Sequence, residues 1–219
     1  RNLEPNAGRW PWPRAVHSLL LDYLARAPAR VVAYDVNFAE ADSRTGFQFG
    51  GSTWSGAESD QALIESVRAS GNVLLVADAT YEGEAATADT ASWLNNELTL
   101  DAPEILARHV VFPPFGALAA AAAGFGHNLL VLDPDGPLRH SVPLVRVGSR
   151  VLPSLGLAAA LRALNADQRS LAVVDRTLRI GGRPMPLASR EVRSANGVTT
   201  YLWSLVNFRG PALLEDLKS

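Results

Sequence analysis

Two aspartates with the spacing of paired catalytic carboxylates, Asp133 and Asp135, follow an apolar run in this sequence. If the run Asn128–Leu132 is a strand, both carboxylates stand at its end, where they could serve phosphoryl transfer as nucleophile and general acid. They could also bind Ca²⁺, although the glutamate that completes an EF-hand loop is missing. Turn chemistry alone accounts for the spacing, because Asp, Pro and Gly are residues that β-turns prefer. We predict a turn over Asp133–Gly136 between paired strands Asn128–Leu132 and Leu138–Val145, with no metal.

A strand followed by Asp-x-Asp-Gly resembles the first motif of haloacid-dehalogenase-like phosphotransferases. That chemistry also requires a metal, a cationic clamp for the phosphate and an acidic pair further along the chain. Pro137 stands where those enzymes usually carry threonine, and the single lysine, Lys218, lies at the end of the chain. Glu215 and Asp216 fall in a predicted terminal helix rather than at a strand end. A phosphotransferase is therefore the alternative hypothesis, and no catalytic residue is predicted.

Asp35 lies near the end of a β-branched run, Val31–Val36, that is typical of a buried strand. In an open parallel sheet, the carboxyl ends of the strands form the edge at which ligands bind. An ionised aspartate there has to be paired or hydrogen-bonded, and Arg139 and Arg209 are the partners expected for it. A structural anchor is the simpler interpretation of Asp35, and a ligand contact is the functional one.

Two long loops are predicted to leave this same edge, the Gly/Ser-rich segment Ala39–Ala57 and the acidic segment Asp78–Asn96. Large aromatic residues would form a binding surface if they share one rim, and these loops contribute Phe47, Trp54, Tyr81 and Trp93. We predict a sensing cleft for a small molecule or a partner protein, with aspartates in its floor. The candidate ligand-binding residues are Asp35, Asn37, Trp54, Asp78, Arg139 and Arg209.

The segment Trp10–Arg14 reads Trp-Pro-Trp-Pro-Arg. Its prolines hold the backbone extended and aim both indoles in fixed directions, which would suit an aromatic cage for a quaternary ammonium group. Because burying a tryptophan removes a large apolar area from water, we predict instead that the indoles dock the start of the chain onto the domain. The 4 histidines have no spacing typical of a metal site, and no metal or cofactor is predicted.

The first half of the chain alternates helical and strand patterns, which favours a parallel α/β sheet. The predicted helices are Pro13–Ala27, Gln61–Ala69 with Ser59 and Asp60 as caps, Asp101–Ala107, and Phe115–Ala123 ended by Gly124. The predicted strands are Val31–Val36, Val73–Ala77 and His109–Phe112. The first two strands should be adjacent and parallel, with Gln61–Ala69 as their crossover helix.

The second half adds turn signals and antiparallel pairs. The elements predicted are a strand over Leu138–Val147, a helix over Leu155–Leu164, a hairpin of Leu178–Ile180 with Pro184–Leu187, a strand over Thr199–Phe208 and a helix over Pro211–Leu217. The fold class expected is α/β, a mixed sheet with a parallel βαβ first half, antiparallel strands added by the second half, and helices on both faces. A single domain is predicted over residues 1–219, since a domain takes about 100–200 residues.

Composition excludes several classes of function. The 219 residues carry a formal charge of -2, which offers no positive field for nucleic acid or an anionic membrane. No cysteine is present, so disulfides, thiolate metal sites and cysteine nucleophiles are excluded. Hydrophobic residues make up 47%, enough for a packed core. Because the chain starts at Arg1 and has no apolar run of membrane-spanning length, we expect a piece cut from between the spans of a membrane protein.

Several short segments, taken in order, resemble the second type of CHASE domain, an extracellular sensory module associated with cyclases and histidine kinases. The matching segments are Trp10–Arg14, Ala33–Phe38, Ser59–Leu63, Gly71–Val73, Gly126–Asn128, Asp133–Gly136 with Arg139, Pro153–Ala158 and Val206–Pro211. They extend over nearly the whole chain. Pro137 departs from the pattern, in which an aliphatic residue is commoner, and the loop after Phe38 is long.

The resemblance implies a role that composition does not indicate. It implies an extracytoplasmic sensory domain of a bacterial inner-membrane receptor, flanked by membrane helices, that relays a signal to a cytoplasmic cyclase or kinase. It implies no catalytic residue and no ligand common to the family. The expected partner is therefore an unidentified extracellular ligand or protein, and a homodimer is a further expectation. A purely structural dimerisation module is the other alternative.

Overall fold

The computed structural model describes residues 10–27, 29–80, 100, 102–133, 135–166, 171–194 and 197–206. Within these residues, no helix is both long and apolar enough to cross a membrane. The helices are α1 Arg14–Ala25, α2 Gly56–Ser70, α3 Gly116–Ala121 and α4 Leu155–Ala163. The strands are β1 Val32–Tyr34, β2 Phe47–Phe49, β3 Ser52–Trp54, β4 Val73–Ala77, β5 Leu106–Ala107, β6 Gly124–His127, β7 His140–Ser141, β8 Leu144–Val147, β9 Arg150–Pro153, β10 Ala172–Val174, β11 Thr177–Ile180, β12 Arg183–Pro186, β13 Ala188–Ser194 and β14 Gly197–Leu205.

A parallel sheet in the order β1–β4–β6 contains the first strands of the chain. Val32 pairs with Val73, and Leu74 pairs with Gly124, and both strand pairings are parallel. The middle strand, β4, is buried at each of its positions. A continuous apolar run is typical of a parallel strand that is covered on both faces. The predicted parallel pairing of the first two strands is confirmed.

Helix α2 connects β1 to β4, as predicted, but it starts upstream of the predicted Gln61. The backbone N–H of Glu58 donates to Ser55 Oγ, and the backbone N–H of Ser55 donates to Glu58 Oε2 at 2.7 Å. This reciprocal capping box satisfies amides that a helix start leaves unpaired. Ser59 and Asp60 were predicted as caps, and that prediction is wrong. Ser59 and Asp60 are buried inside the helix, because Ser55 caps it and its first turn starts at Gly56.

Replacing Ser55 by alanine removes the oxygen that accepts from Glu58. We expect the free energy of unfolding to fall by about 1 kcal/mol, the usual cost of losing an N-cap side chain. Urea denaturation followed by circular dichroism measures this change. Ser52→Ala, at an exposed position of β3, is the matched control and should change stability by less than about 0.5 kcal/mol. Equal stability of the Ser55→Ala variant and the original chain would contradict the capping role.

The segment Ala39–Ala57, predicted as a loop, contains a hairpin. Strand β2 pairs antiparallel with β3 around Gly50 and Gly51. Their φ angles are 60° and 81°, the left-handed conformation that a two-residue hairpin turn requires at both central positions. The loop prediction is therefore wrong over the hairpin, because two adjacent glycines make a tight turn at no steric cost.

Two predictions between β4 and α3 are also wrong. The helix predicted over Asp101–Ala107 ends in a strand, because Leu106 and Ala107 pair in parallel with β8, and a helix this short is not stable by propensity alone. The strand predicted over His109–Phe112 contributes only an isolated bridge between Phe112 and Asp78.

The strand predicted over Asn128–Leu132 lies earlier in the chain, at β6. Gly124, predicted to end α3, is the first residue of β6. Strand β6 reads Gly-Phe-Gly-His and lacks the β-branched residues by which strands are recognised. The apolar run that follows is not buried as a strand would be, since Leu130 is 66% exposed and Leu132 61% exposed.

The second half adds antiparallel ladders, as predicted. Strand β8 pairs with β9, β10–β11–β12 form a meander, β13 pairs with β14, and β14 also pairs with β7. The predicted hairpin is confirmed as β11–β12, and the strand predicted over Thr199–Phe208 is present as β14. The sequence predicts no strand at β13 because its Arg, Glu and Ser residues hide the alternation. The helix predicted over Pro211–Leu217 lies outside the described residues.

Two groups of buried side chains hold the layers together. The first joins α1, α2 and α3 to the parallel sheet through Leu21, Leu63 and Leu118, which pack with Leu75 of β4. The second contains Leu161 of α4 together with buried residues of the later strands. Helix α4 also contacts β1, β4 and β6. The predicted mixed α/β fold, with a parallel first half and antiparallel additions, is confirmed.

Candidate functional site

The carboxyl edge of the parallel sheet brings together two of the predicted site residues. Asn37 Nδ2 donates to Asp78 Oδ2 at 3.3 Å. The other carboxylate oxygen of Asp78 accepts from the backbone N–H and the hydroxyl of Thr80, at 2.9 and 2.6 Å. Asp78 is buried, whereas Asp35 is exposed at the same edge. This edge therefore holds one satisfied carboxylate and one in solvent, and their role as ligand contacts stays a prediction.

The predicted aromatic rim is described only in part. Trp54 is half-buried in the hairpin, where its Nε1 donates to the carbonyl oxygen of Phe49 at 3.1 Å. Phe47 lies under the guanidinium of Arg44, 5.6 Å from it. Tyr81 and Trp93 lie outside the described residues.

Arg139 has carboxylate partners close to it in sequence. Its Nη1 and Nη2 donate to the two oxygens of Asp135 at 2.8 and 2.7 Å, and Nη1 also lies 3.3 Å from Asp133 Oδ2. The expected pairing of Arg139 with Asp35 is therefore wrong. Asp135, four residues earlier in the chain, binds both Nη atoms of the guanidinium instead. Arg209, the other expected partner, lies outside the described residues.

The turn between Asp133 and Gly136 is confirmed, but the strands predicted on either side of it are not paired with each other. Gly136 N donates to the carbonyl oxygen of Asp133 at 2.8 Å, and Gly136 has a φ of 96°. His140 and Ser141 instead form β7, which pairs with the end of β14. The turn consequently faces β14 and β13.

A cavity of about 460 Å³ opens between this turn and the β7–β14–β13 sheet. Its lining residues come from three distant parts of the chain: Asp133, Asp135, Arg139, His140, Ser189, Arg190, Trp203 and Leu205. Of these, only the two turn aspartates and Arg139 are recognisable as candidates from the sequence. Nothing in the sequence pairs the others with the turn, because the ladders that bring β13 and β14 to it are set by the tertiary fold.

Asp133 contacts three of the other side chains that line the cavity. Its Oδ1 accepts from Arg190 Nη1 at 3.1 Å and lies 3.3 Å from Nδ1 of the buried His140. Partial desolvation raises the pKa of Asp133, but Arg190, His140 and Arg139 outweigh it and hold the pKa below its usual value. The hydrogen bonds from Arg139 lower the pKa of Asp135 as well. Both aspartates are therefore carboxylates at neutral pH, already bound by cationic side chains.

These contacts disfavour the phosphotransferase alternative. A nucleophilic aspartate has to be free to attack phosphorus, whereas Asp133 is engaged by two guanidiniums and an imidazole. The described residues also contain no group of three or more His, Cys, Asp or Glu side chains placed to hold a metal ion. The turn interpretation accounts for both aspartates.

A line of polar side chains leads inward from Asp133 through His140 to Tyr201. Tyr201 Oη lies 3.5 Å from His140 Nε2. Burial raises the pKa of Tyr201, and the charges of Arg190 and Arg108 act against this. Arg108 also acts on His127, at the carboxyl end of β6, where burial and this charge lower the pKa to about 3. Tyr201 and His127 thus both lie within the electrostatic influence of Arg108.

The Trp-Pro-Trp-Pro-Arg segment packs on α1 through its two indoles, as the docking interpretation predicts. His17 of α1 hydrogen-bonds Tyr34 Oη at 2.7 Å, and the rings of Trp10 and Trp12 lie 5.6 and 6.1 Å from His17. Burial, together with the charge of Arg14, lowers the pKa of His17 to about 4. Trp10 nevertheless keeps 60% of its surface exposed.

An ion network attaches the same segment to α2 and to the chain after β1. Arg14 Nε lies 3.5 Å from Asp60 Oδ1, and the backbone N–H of Asp42 donates to Asp60 Oδ2 at 2.8 Å. Arg44 bonds both Asp42, at 3.1 Å, and the carbonyl oxygen of Pro11. Three segments that are separate in sequence therefore share one partly buried polar cluster.

The family model of the CHASE2 domain matches residues 1–217. The chain belongs to the CHASE2 family. This confirms the resemblance seen in the sequence and identifies the chain as a member of a family of extracellular sensory domains. Curated proteins and solved structures yield no significant match to it. In this CHASE2 domain, the matching segments around Arg14 and Asp60 meet in the polar cluster, and the segment that contains Tyr34 contacts α1 at His17.

Proposed function

We propose that this CHASE2 domain is the signal-input domain of a bacterial transmembrane receptor and that it relays a signal to a cytoplasmic cyclase or kinase. The observation that carries the proposal is the cavity at the Asp133–Gly136 turn, where two arginines, a buried histidine and a tryptophan converge. Ligand sites typically combine a concave wall with a few convergent polar groups. The domain itself carries no reaction in this proposal.

The polar line from Asp133 through His140 to Tyr201 supports the relay, because Tyr201 is buried in the same hydrophobic cluster as the parallel sheet. A change of charge in the cavity would alter the field at Tyr201, on which Asp133 already acts. Asp35, Asn37, Asp78 and Trp54 remain the proposed contacts of that second surface. The proposed place of the domain is outside the cytoplasmic membrane, between flanking membrane helices.

The side of the membrane can be tested with one introduced thiol, since the chain contains no cysteine. Ala69→Cys places a thiol at an exposed position of α2, and Ser66→Cys places one at a buried position three residues earlier. In spheroplasts that make the full-length protein, with any cysteines elsewhere changed to serine, a membrane-impermeant maleimide should label the Ala69→Cys variant without lysis. The Ser66→Cys control should be labelled only after denaturation.

The output is measured on the same preparation. Inside-out membrane vesicles supplied with ATP or GTP should form a cyclic nucleotide or a phosphorylated protein, whereas right-side-out vesicles should not. Labelling of the Ala69→Cys variant only after lysis would contradict the extracytoplasmic location. Absence of both cyclase and kinase activity in inside-out vesicles would contradict the proposed output.

A further inference from the structure

The cavity at the turn has more hydrogen-bond donors than acceptors. Each oxygen of Asp133 and Asp135 already accepts from a cationic side chain. A guanidinium carries more N–H donors than one carboxylate can accept, and Arg139 and Arg190 both line the cavity. The two arginines and two aspartates balance in charge, but a ligand that brings acceptor oxygens can bond the N–H groups that the carboxylates leave unused.

Asp135 is the carboxylate that a ligand can replace most easily. It is the more solvent-exposed of the two, with 61% of its side chain accessible, against 15% for Asp133. Among the described residues, Arg139 supplies its hydrogen bonds from side chains, in the two-pronged geometry that guanidinium and carboxylate prefer. An exposed ion pair is worth at most about 1 kcal/mol, so exchanging Asp135 for a ligand carboxylate costs little.

The opposite wall supplies an apolar surface. Trp203 lines the cavity and packs its ring against His140, with the ring centroids 5.1 Å apart. Leu205 lies beside it and is 70% exposed. A flat apolar group can lie on this wall while its acidic end reaches Arg139, and about 460 Å³ accommodates a molecule of one or two rings.

We propose that the cavity binds a small organic carboxylate with a flat apolar body, whose carboxylate displaces Asp135 from Arg139. This inference rests on the proposed sensory function and names the class of ligand that the domain reads. Ligand binding frees Asp135 and the turn that carries it. Because the turn is joined to β7, the exchange changes the charge environment of His140 at the start of the polar line.

Isothermal titration calorimetry on the chain of residues 1–219 tests the ligand class with matched probes. Benzoate and phenylacetate carry the acid, benzamide is the neutral analogue of benzoate, and benzylammonium carries the opposite charge. We expect at least one of the two carboxylates to bind at millimolar concentration, about two- to fivefold more tightly than benzamide, and benzylammonium not to bind.

Variants of the fork test the exchange itself. Asp135→Asn removes the competing charge and should increase carboxylate affinity by about two- to fivefold. Arg139→Ala should reduce it about two- to fivefold, while Arg68→Ala, an exposed arginine of α2, should leave it unchanged. If the ligand displaces Asp135 from Arg139, affinity rises when Asp135 loses its charge, which distinguishes displacement from simple attraction of the ligand to the arginine. A thermal unfolding scan checks that each variant is folded.

Three results would overturn the inference: no binding of either carboxylate to the Asp135→Asn variant at 10 mM (roughly the weakest affinity accessible to such probes), stronger binding of benzylammonium than of benzoate, or unchanged affinity in Arg139→Ala. Each of these leaves the thiol-labelling and vesicle experiments untouched. A domain labelled outside the membrane that binds no carboxylate would thus retain its sensory function and lose only this ligand class.

Discussion

Replacing Gly126 by alanine is expected to lower the free energy of unfolding by about 3 kcal/mol or more. A β-carbon at this position would lie 2.6 Å from the backbone N of Leu155 and 3.0 Å from the carbonyl carbon of Ser154. These are backbone atoms at the start of α4, so no side-chain rotation relieves the overlap. The strand and the helix have to separate, which disturbs the bridge between His127 and Ser154.

Gly156 provides a matched control two residues into the same helix start. A β-carbon there meets no atom within 4 Å, so Gly156→Ala should leave the fold intact and raise stability by about 0.5–1 kcal/mol. Urea denaturation of both variants, followed by circular dichroism, compares them directly. Similar stabilities of the two variants would show that α4 does not approach β6 as closely as the structure indicates.

Stability is expected to fall steeply as the pH drops below about 6.5, because two buried histidines cannot accept a proton without cost. The pKa of His127 is about 3 and that of His17 about 4, against 6.5 for an exposed imidazole. In this pH range the unfolded chain binds protons that the folded chain does not, so protonation favours unfolding. The stabilising contribution is complete above pH 6.5 and is lost progressively toward pH 4, at about 1.4 kcal/mol per pH unit for each histidine.

His127→Asn isolates the larger of the two contributions. His127 Nδ1 accepts from Leu129 N at 3.2 Å, and the asparagine oxygen can take over that role without titrating. No partner among the described residues bonds the buried His127 Nε2. Unfolding free energies measured from pH 8 to pH 4 should show about 3 kcal/mol less acid sensitivity in this variant.

The exposed His109 supplies the control for this titration. His109→Asn makes the same substitution at an exposed position and shows any effect of the replacement itself on the measurement. An identical acid dependence in the His127→Asn variant would mean that His127 is protonated in the native state and would contradict its burial.

Elements with strong local signals could be predicted from the sequence. The β-branched run before Asp35 and the apolar run Val73–Ala77 are parallel neighbours, as expected, because such runs suit a strand covered on both faces. The turn at Asp133–Gly136 and the hairpin at Gly181 follow from glycine and aspartate chemistry alone. The family could be identified as well, since its motifs keep their order over nearly the whole chain.

Elements with weak local signals could not be predicted. Strand β6 reads Gly-Phe-Gly-His, and it is a strand because it pairs with Leu74–Ala77 of β4. Gly126 is required because the start of α4 lies too close to leave room for a β-carbon. Leu130 and Leu132 belong to the apolar run that was predicted as a buried strand, but both side chains are mostly exposed. Local propensity does not predict these elements, because cross-strand pairing and burial contribute more free energy and depend on distant residues.

The α/β class, the parallel βαβ unit, the turn at the two aspartates and membership of the CHASE2 family all follow from the amino-acid sequence. Each of these depends on neighbouring residues or on the order of short motifs. The candidate site depends instead on the folded chain, in which Arg139 binds Asp135 rather than Asp35, and His140, Arg190 and Trp203 complete a cavity around that pair. The ladders between β7, β14 and β13 bring these side chains together from distant parts of the chain, and long-range pairing of this kind leaves no local pattern in a single sequence.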